Sequence, residues 1–303
     1  MSLRRSVLNL ALRLMEKPHL ARARDPERLR DGFERKAKFW FRPPRGSRFE
    51  ADGCSEMEVT WALGPGVACD SGPAILYFHG GGYVFGSPAT HRAMLAHLSG
   101  LAGLPACLPA YGLAPEHPFP RAVEDGLAAL AALRDHPGGV ILGGDSAGGG
   151  LALAVLAETL RQGGRRPRGL FAFSPLTDLT FSGDSLRRNA RADVMLPAHR
   201  AGEMAQLYLR GTDSRDPRAS PLFAAFAGAG PVWLTASDSE ILLDDTRRMT
   251  TRLRADGVEV TEVLRHELPH VWPMFHGLVP EADDTLRDLA AWLRSLSSRP
   301  DEN

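Results

Sequence analysis

A serine set among glycines, in the segment 144–149, most constrains what this chain can fold into. The segment reads Gly-Asp-Ser-Ala-Gly-Gly, follows the apolar run 140–142 and precedes the helix-forming stretch 151–160. A serine in a sharp strand-to-helix turn presents its hydroxyl outside the sheet, and glycines beside it let two backbone segments pass closely. The motif is weak alone, because the chain contains 31 glycines. It predicts a nucleophile elbow carrying Ser146.

A second motif, His-Gly-Gly-Gly at 79–82, directly follows the apolar run 74–78. Backbone N–H groups fixed in advance stabilise the oxyanion of acyl transfer, each by roughly 3 kcal/mol of barrier. We predict the N–H groups of Gly81 and Gly82 as two such donors. Ala147 is predicted as the third, because it follows the nucleophile and opens a helix. His79 is expected to brace this loop and to take no proton.

These motifs, together with Tyr-Gly-Leu-Ala-Pro-Glu-His-Pro-Phe-Pro at 111–120, occur in an order that resembles the hormone-sensitive-lipase-like branch of the α/β-hydrolases. The resemblance spans roughly residues 73–297. It implies an α/β-hydrolase fold, with a mostly parallel central sheet of about eight strands flanked by helices and a helical cap. The family usually carries Arg where this chain has Gly112, a departure in a structural loop.

A serine nucleophile needs a base and an orienting carboxylate, which on this fold follow in the order Ser, acid, His. Four carboxylates follow the apolar run 232–236. The resemblance implies Glu240 as the acid, with Asp238 as its main rival. Asp244 and Asp245 are expected to be solvated or to cap the next helix.

The base is expected after the last strand, where His266, His270 and His276 are candidates. The family pattern places the catalytic histidine before a short aromatic turn, which favours His270. Residues 266–270 also match the His-Glu-x-x-His pattern of zinc peptidases. That site needs a helix, and Pro269 argues against one, so we expect no metal.

Composition favours one α/β domain, because 303 residues with 44% hydrophobic content can bury a large core. The 36 basic and 36 acidic residues balance, so no overall field attracts nucleic acid or an anionic membrane. The three cysteines, Cys54, Cys69 and Cys107, are odd in number, widely spaced and without metal-ligand spacing, which favours reduced thiols and a cytoplasmic location.

The N-terminus resembles a signal peptide only weakly, because Arg13 interrupts its apolar run early. Leu3, Val7, Leu10 and Leu14 recur at helical spacing, which predicts an amphipathic helix. Export or membrane anchoring is the alternative. No stretch approaches the length that spans a bilayer.

Coarse periodicity predicts strands that alternate with helices, as in a mostly parallel sheet. The predicted strands lie near 57–62, 74–78, 105–109, 140–143, 170–173, 231–236 and 258–264. The predicted helices lie near 90–102, 121–135, 147–162, 242–256 and 281–297. Residues 1–45 and 183–217 are expected to form the cap, over a catalytic core of about 46–182 and 218–297.

The predicted function is a serine carboxylesterase that acts on small acyl or aryl esters through an acyl-enzyme, with no cofactor. A lactone or amide hydrolase with the same triad is the nearest alternative. A non-catalytic small-molecule receptor on the same fold is an alternative of a different class. The presence of His270 argues against it, because relatives of that kind have lost the catalytic histidine. The resemblance also implies a possible homodimer.

Overall fold

The computed structural model describes residues 2–52 and 57–298, so Cys54 lies outside the described residues. Cys69 is half-buried, and Cys107 is buried in the sheet. None of the helices within these two ranges is long and apolar enough to cross a membrane.

Eight strands form one sheet in the order β1-β2-β4-β3-β5-β6-β7-β8. The strands from β3 to β8 run parallel to one another, whereas β2 is antiparallel to both β1 and β4. This confirms the predicted fold class. The strands are β1 Arg48–Asp52, β2 Val59–Leu63, β3 Ala74–Phe78, β4 Ala106–Pro109, β5 Val140–Asp145, β6 Gly169–Phe173, β7 Val232–Ser237 and β8 Val260–Arg265.

Helices cover both faces of the sheet. Apolar residues of α4 and α10 pack on one face, and those of α5, α6 and α9 pack on the other. The helices are α1 Leu3–Ala11, α2 Lys17–Arg22, α3 Pro26–Trp40, α4 Pro88–Ala102, α5 Arg121–Ala132, α6 Ser146–Arg161, α7 Ser185–Arg188, α8 Ala201–Leu209, α9 Leu243–Ala255 and α10 Pro280–Ser297. A π-helical turn, Leu12–Glu16, joins α1 to α2 and makes them one continuous helical segment.

Strands β3, β5 and β6 are buried along their whole length, which explains why they read as continuous apolar runs. Strand β1 was not predicted, because its sequence Arg-Phe-Glu-Ala-Asp is mostly polar and lies at the edge of the sheet. The parallel strands β5, β7 and β8 bring the residues that follow them to one edge, where ligands bind in open α/β sheets.

The loop that departs from the family at Gly112 is held by a carboxylate. Asp125 accepts hydrogen bonds from the Gly112 N–H (2.8 Å) and from Arg121 Nε (2.8 Å). A Cβ atom at position 112 would lie 2.9 Å from the Arg121 Cγ atom and 2.9 Å from the His117 Cβ atom. Arg121 therefore occupies space that a longer residue at 112 would need.

The start of α9 is joined to the loop after β6 through Asp245. Its Oδ1 atom accepts hydrogen bonds from the backbone N–H groups of Thr177 (2.8 Å) and Asp178 (3.0 Å). Burial raises the pKa of Asp245 to about 7, against the opposing effect of these hydrogen bonds. The folded protein therefore binds a proton that the unfolded chain releases near pH 4.

This raised pKa predicts that Asp245 destabilises the fold as pH rises from about 4 to about 7. In Asp245→Asn the amide oxygen keeps both backbone hydrogen bonds and cannot ionise. The stability of the variant relative to wild type should increase by about 2 kcal/mol between pH 5.5 and pH 8. Urea unfolding at the two pH values measures this difference, and a constant difference would contradict the assignment.

Candidate active site

Ser146 is the first residue of α6 and directly follows β5, as the elbow motif predicts. Its φ angle of 50° is in the left-handed region, a strained conformation for a non-glycine residue. The turn needs glycine nearby, because a Cβ atom at Gly148 would lie only 2.1 Å from the Phe78 carbonyl oxygen. The elbow is therefore packed directly against the end of β3.

The loop that follows β3 carries the predicted oxyanion donors. Gly81 has a φ angle of 124°, and a Cβ atom there would lie 2.0 Å from the Phe85 carbonyl oxygen. Gly81 and Gly82 line the same pocket as Ser146. Ala147 is buried in the first turn of α6. The donor roles of these three N–H groups stay a prediction.

A buried carboxylate beside the nucleophile holds this loop, and the sequence analysis gave it no role. Asp145 Oδ1 accepts hydrogen bonds from the Gly80 N–H (3.0 Å) and the Tyr77 hydroxyl (2.8 Å). The His91 Nε2 atom lies 3.2 Å from the same oxygen. Burial by itself would raise the pKa of Asp145, but His91 and the Tyr77 hydrogen bond outweigh it and lower the pKa.

His79 is placed where it can brace the loop. Its ring stacks on Tyr111 at 4.4 Å between centroids, and its Nδ1 atom lies 2.9 Å from the Gly80 carbonyl oxygen. Burial, together with the nearby His91 ring, lowers the pKa of His79 to about 3. The ring is therefore neutral at ordinary pH, which fits the predicted bracing role.

Glu240 and His270 form a buried pair. His270 Nδ1 lies 2.6 Å from Glu240 Oε2, and the other carboxylate oxygen accepts hydrogen bonds from the Ser174 hydroxyl (2.8 Å) and the Ser237 N–H (2.7 Å). Burial raises the pKa of Glu240, against the effect of His270. Burial by itself would lower the pKa of His270, because it disfavours the protonated ring. The hydrogen bond and the charge of Glu240 outweigh burial, so the pKa of His270 is raised.

The rival acids have other partners. Asp238 is 2.5 Å from His266 Nδ1 at the surface and accepts the Glu267 N–H (2.9 Å). Asp244 accepts the Ser185 N–H (2.8 Å). Asp245 is buried and accepts hydrogen bonds from the loop after β6. The expectation that it is solvated or caps a helix was therefore wrong.

The remaining histidine candidates point away from Glu240. His276 Nε2 lies 3.3 Å from the Arg42 carbonyl oxygen, and its ring stacks on His97. Residues 266–270 are not helical, so the zinc-peptidase pattern lacks the helix that it requires. Within that pattern, His266 faces Asp238 and His270 faces Glu240.

Ser146 and His270 line one pocket, although no hydrogen bond joins Ser146 Oγ to His270 Nε2 in this structure. The Nε2 atom is buried and makes no hydrogen bond, so it is free to accept a proton. Hydrogen bonds between catalytic groups are often long without substrate and shorten when substrate binds.

The surface of the pocket is mostly apolar, although Glu16, His19, Lys36 and Arg200 also line it, and its volume is about 170 Å³. That volume is close to the ~150 Å³ cavity that holds one benzene ring. Its walls combine the glycine loop with residues of the N-terminal helices, the 194–205 region and the segment after β7. These are Leu20, Leu29, Phe33, Leu196, Met204, Ala205, Ile241 and Leu242.

Comparison with known proteins identifies the family of this chain. A family model described as the alpha/beta hydrolase fold matches residues 75–274. The chain belongs to the α/β-hydrolase fold family. An acetyl-hydrolase from Streptomyces hygroscopicus is 36% identical over 231 residues, which cover 75% of this chain and 77% of that protein. An esterase from Acinetobacter venetianus is 36% identical over 73% of this chain and 75% of its own length.

Crystal structures place this α/β-hydrolase within the bacterial hormone-sensitive-lipase group. An esterase from that group has a TM-score of 0.91 and 33% identity, covering 98% of this chain and 99% of its own. An esterase/lipase from an uncultured bacterium has a TM-score of 0.91 and 36% identity, covering 99% and 100%. The predicted family is confirmed, and the chain is an enzyme, a hydrolase.

Residues of this α/β-hydrolase that no sequence motif predicted hold the candidate acid. Asn189 donates hydrogen bonds through Nδ2 to the carbonyl oxygens of Asp238 (2.9 Å) and Glu240 (2.8 Å). Asp193 accepts the Ile241 N–H (3.0 Å). These contacts come from the 183–217 interval, distant in sequence, so no local motif could have found them.

The buried pair predicts how the two candidate acids differ. Glu240→Gln removes the charge that stabilises a protonated His270, so kcat/KM should fall roughly 10³- to 10⁴-fold. Burial then lowers the pKa of His270 against only the weaker effects of Asp193 and Asp145, so the acid limb of the pH profile should move to lower pH. Ester hydrolysis followed from pH 4 to 9 gives both quantities.

Asp238→Asn is the matched control, since it removes the carboxylate that follows the same strand and faces His266. It should keep the acid limb of wild type and most of the activity. If Asp238→Asn loses as much activity as Glu240→Gln and its acid limb also moves to lower pH, Glu240 is not the acid that we assign.

Proposed function

We propose that this chain is a serine carboxylesterase that hydrolyses short-chain acyl or aryl esters through an acyl-enzyme. The observation that carries the proposal is the buried Glu240–His270 pair at 2.6 Å, with His270 Nε2 unbonded in the pocket wall that also holds Ser146. The esterase and acetyl-hydrolase names of its relatives support the ester as substrate.

In the first half-reaction, Ser146 Oγ attacks the ester carbonyl while His270 Nε2 takes its proton. Glu240 holds Nδ1 and stabilises the imidazolium. The carbonyl oxygen becomes an anion that accepts hydrogen bonds from the N–H groups of Gly81, Gly82 and Ala147. His270 then protonates the departing alcohol, which leaves an acyl group on Ser146.

In the second half-reaction, water replaces the alcohol. His270 takes a proton from the water as it attacks the acyl carbonyl, and the same three N–H groups hold the second oxyanion. Collapse of this intermediate returns the proton to Ser146 Oγ and releases the acid. Every step uses side chains and backbone groups of this chain.

Residues 1–45 and 183–217 act as the cap in this proposal. Leu29 and Phe33 from the first segment meet Met204 and Ala205 from the second around the pocket. Their apolar side chains exclude water from the acyl group and limit its size. A cavity of about 170 Å³ suits a short acyl chain.

Replacement of the nucleophile tests the core of the proposal. Ser146→Ala should lower hydrolysis of p-nitrophenyl butyrate roughly 10⁴- to 10⁶-fold, with unchanged circular dichroism. A serine-directed covalent inhibitor should label wild type at Ser146 and leave the variant unlabelled, as peptide mass spectrometry can show. Labelling at another serine with activity retained in Ser146→Ala would refute the mechanism.

Pocket size should set the acyl preference. The Met204 Cε atom lies 3.0 Å from where a Cβ atom of Gly82 would be, so this side chain borders the predicted oxyanion site. Met204→Ala should raise the octanoate-to-acetate ratio of kcat/KM about tenfold, since several methylenes gain room. Leu207→Ala, on the same helix but outside the pocket, is the control and should leave the ratio unchanged.

A further inference from the structure

The outer face of the N-terminal helical segment carries apolar side chains that nothing in the described structure covers. Leu3, Val7, Leu10 and Leu14 are between 58% and 81% exposed. Their spacing places them within one narrow stripe along the helix. We call this stripe, formed by these four residues, the outer stripe.

The opposite face of the same segment already attaches it to the core. Leu8 and Leu12 pack against the cluster that contains Trp272 and Phe275. Arg5 Nη1 donates to the His266 carbonyl oxygen at 2.9 Å. The outer stripe is therefore not needed to hold the helix in place.

The charged side chains of the segment itself are mostly basic, although Arg5 is buried beside Glu267 and Arg24 pairs with Glu203. Residues 2–24 contain six basic side chains and one acidic side chain. The acidic one, Glu16, is only half-exposed and lies 2.6 Å from Lys36 Nζ. Arg4 and Arg22 are exposed on the segment. The whole chain is neutral, so this excess is local.

We propose that the outer stripe, together with the exposed Arg4 and Arg22, binds an anionic lipid surface. A helix with an apolar stripe and basic flanks lies in the plane of such a surface, with the apolar side chains inserted and the cations near the headgroups. A second copy of this chain fits less well, because pairing two stripes would bring the like-charged flanks together.

This docking would bring one wall of the pocket close to the lipid. Glu16, His19 and Leu20, which follow the stripe on the same helical segment, line the pocket that holds Ser146. An ester in the lipid would then reach the pocket without crossing bulk water. This last step rests on the proposed function, whereas lipid binding itself does not.

Vesicle cosedimentation of the full chain tests the binding. Wild type should bind vesicles of phosphatidylglycerol and phosphatidylcholine and bind pure phosphatidylcholine far less. Leu10→Gln with Leu14→Gln should lower the partition coefficient at least about tenfold. Leu10→Met with Leu14→Met is the matched control, because Met and Gln have similar helix propensity and only Met stays apolar. It should bind like wild type.

The charge is tested separately. Arg4→Glu with Arg22→Glu should weaken binding by at least about fivefold per residue. Arg134→Glu with Arg287→Glu changes net charge equally, on exposed arginines of other parts of the surface, and should have a much smaller effect. High salt should weaken wild-type binding.

Equal binding of the Gln and Met pairs, or equal binding to neutral and anionic vesicles, would overturn the proposal. A concentration-dependent dimer that the Gln pair abolishes, seen by sedimentation velocity without lipid, would assign the stripe to a second copy and also overturn it. None of the substituted residues lines the pocket, so hydrolysis of soluble p-nitrophenyl acetate should be unchanged in every variant. Vesicle binding by a wild type that lacks this hydrolysis would count against the proposed function alone.

Discussion

The site depends on one buried carboxylate that joins two separate turns. Asp145 ends β5 immediately before the nucleophile, and its Oδ1 atom accepts the N–H of Gly80 at the start of the glycine loop. The same oxygen accepts the Tyr77 hydroxyl and lies close to His91. A buried charge is tolerated only when such partners satisfy it. Asp145 thus links the position of the serine to that of the proposed oxyanion donors.

Packing makes that link rigid. The elbow at Gly148 touches the carbonyl oxygen of Phe78 so closely that a Cβ atom has no room. The turn cannot move away from the glycine loop without breaking the Asp145 contacts, and cannot move toward it without a backbone clash. Preorganised donors of this kind lower a barrier because they need not reorient as charge develops.

Local sequence motifs predicted which residues are candidates for this site better than they predicted which of those residues contact each other. The elbow and the glycine loop are set by neighbouring residues, so their motifs could be read directly. Glu240 and Asp238 both follow β7, and nothing in their spacing tells which one meets His270. The structure separates them by burial, since Asp238 pairs with His266 at the surface. Strand β1 was missed for a related reason, because an edge strand needs little apolar sequence.

The N-terminal segment shows what hydrophobic periodicity cannot predict. The spacing of Leu3, Val7, Leu10 and Leu14 predicted the helix, but spacing cannot say whether a stripe faces the core or the solvent. Leu8 and Leu12 hold the core side, so the longer stripe faces outward. Overall charge balance was equally uninformative here, because it averages a basic segment with an acidic remainder.

The burial of the Glu240–His270 pair bears on the acid–base role that we propose for it. Burial alone disfavours an imidazolium, as it does at His79, whose pKa falls to about 3. At His270 the adjacent carboxylate reverses the direction of the shift. Exclusion of water strengthens this attraction, since a low local dielectric increases the interaction between close opposite charges. In the proposed mechanism, the apolar walls that exclude water from the acyl group thus surround a base whose protonated form Glu240 stabilises against the cost of burial.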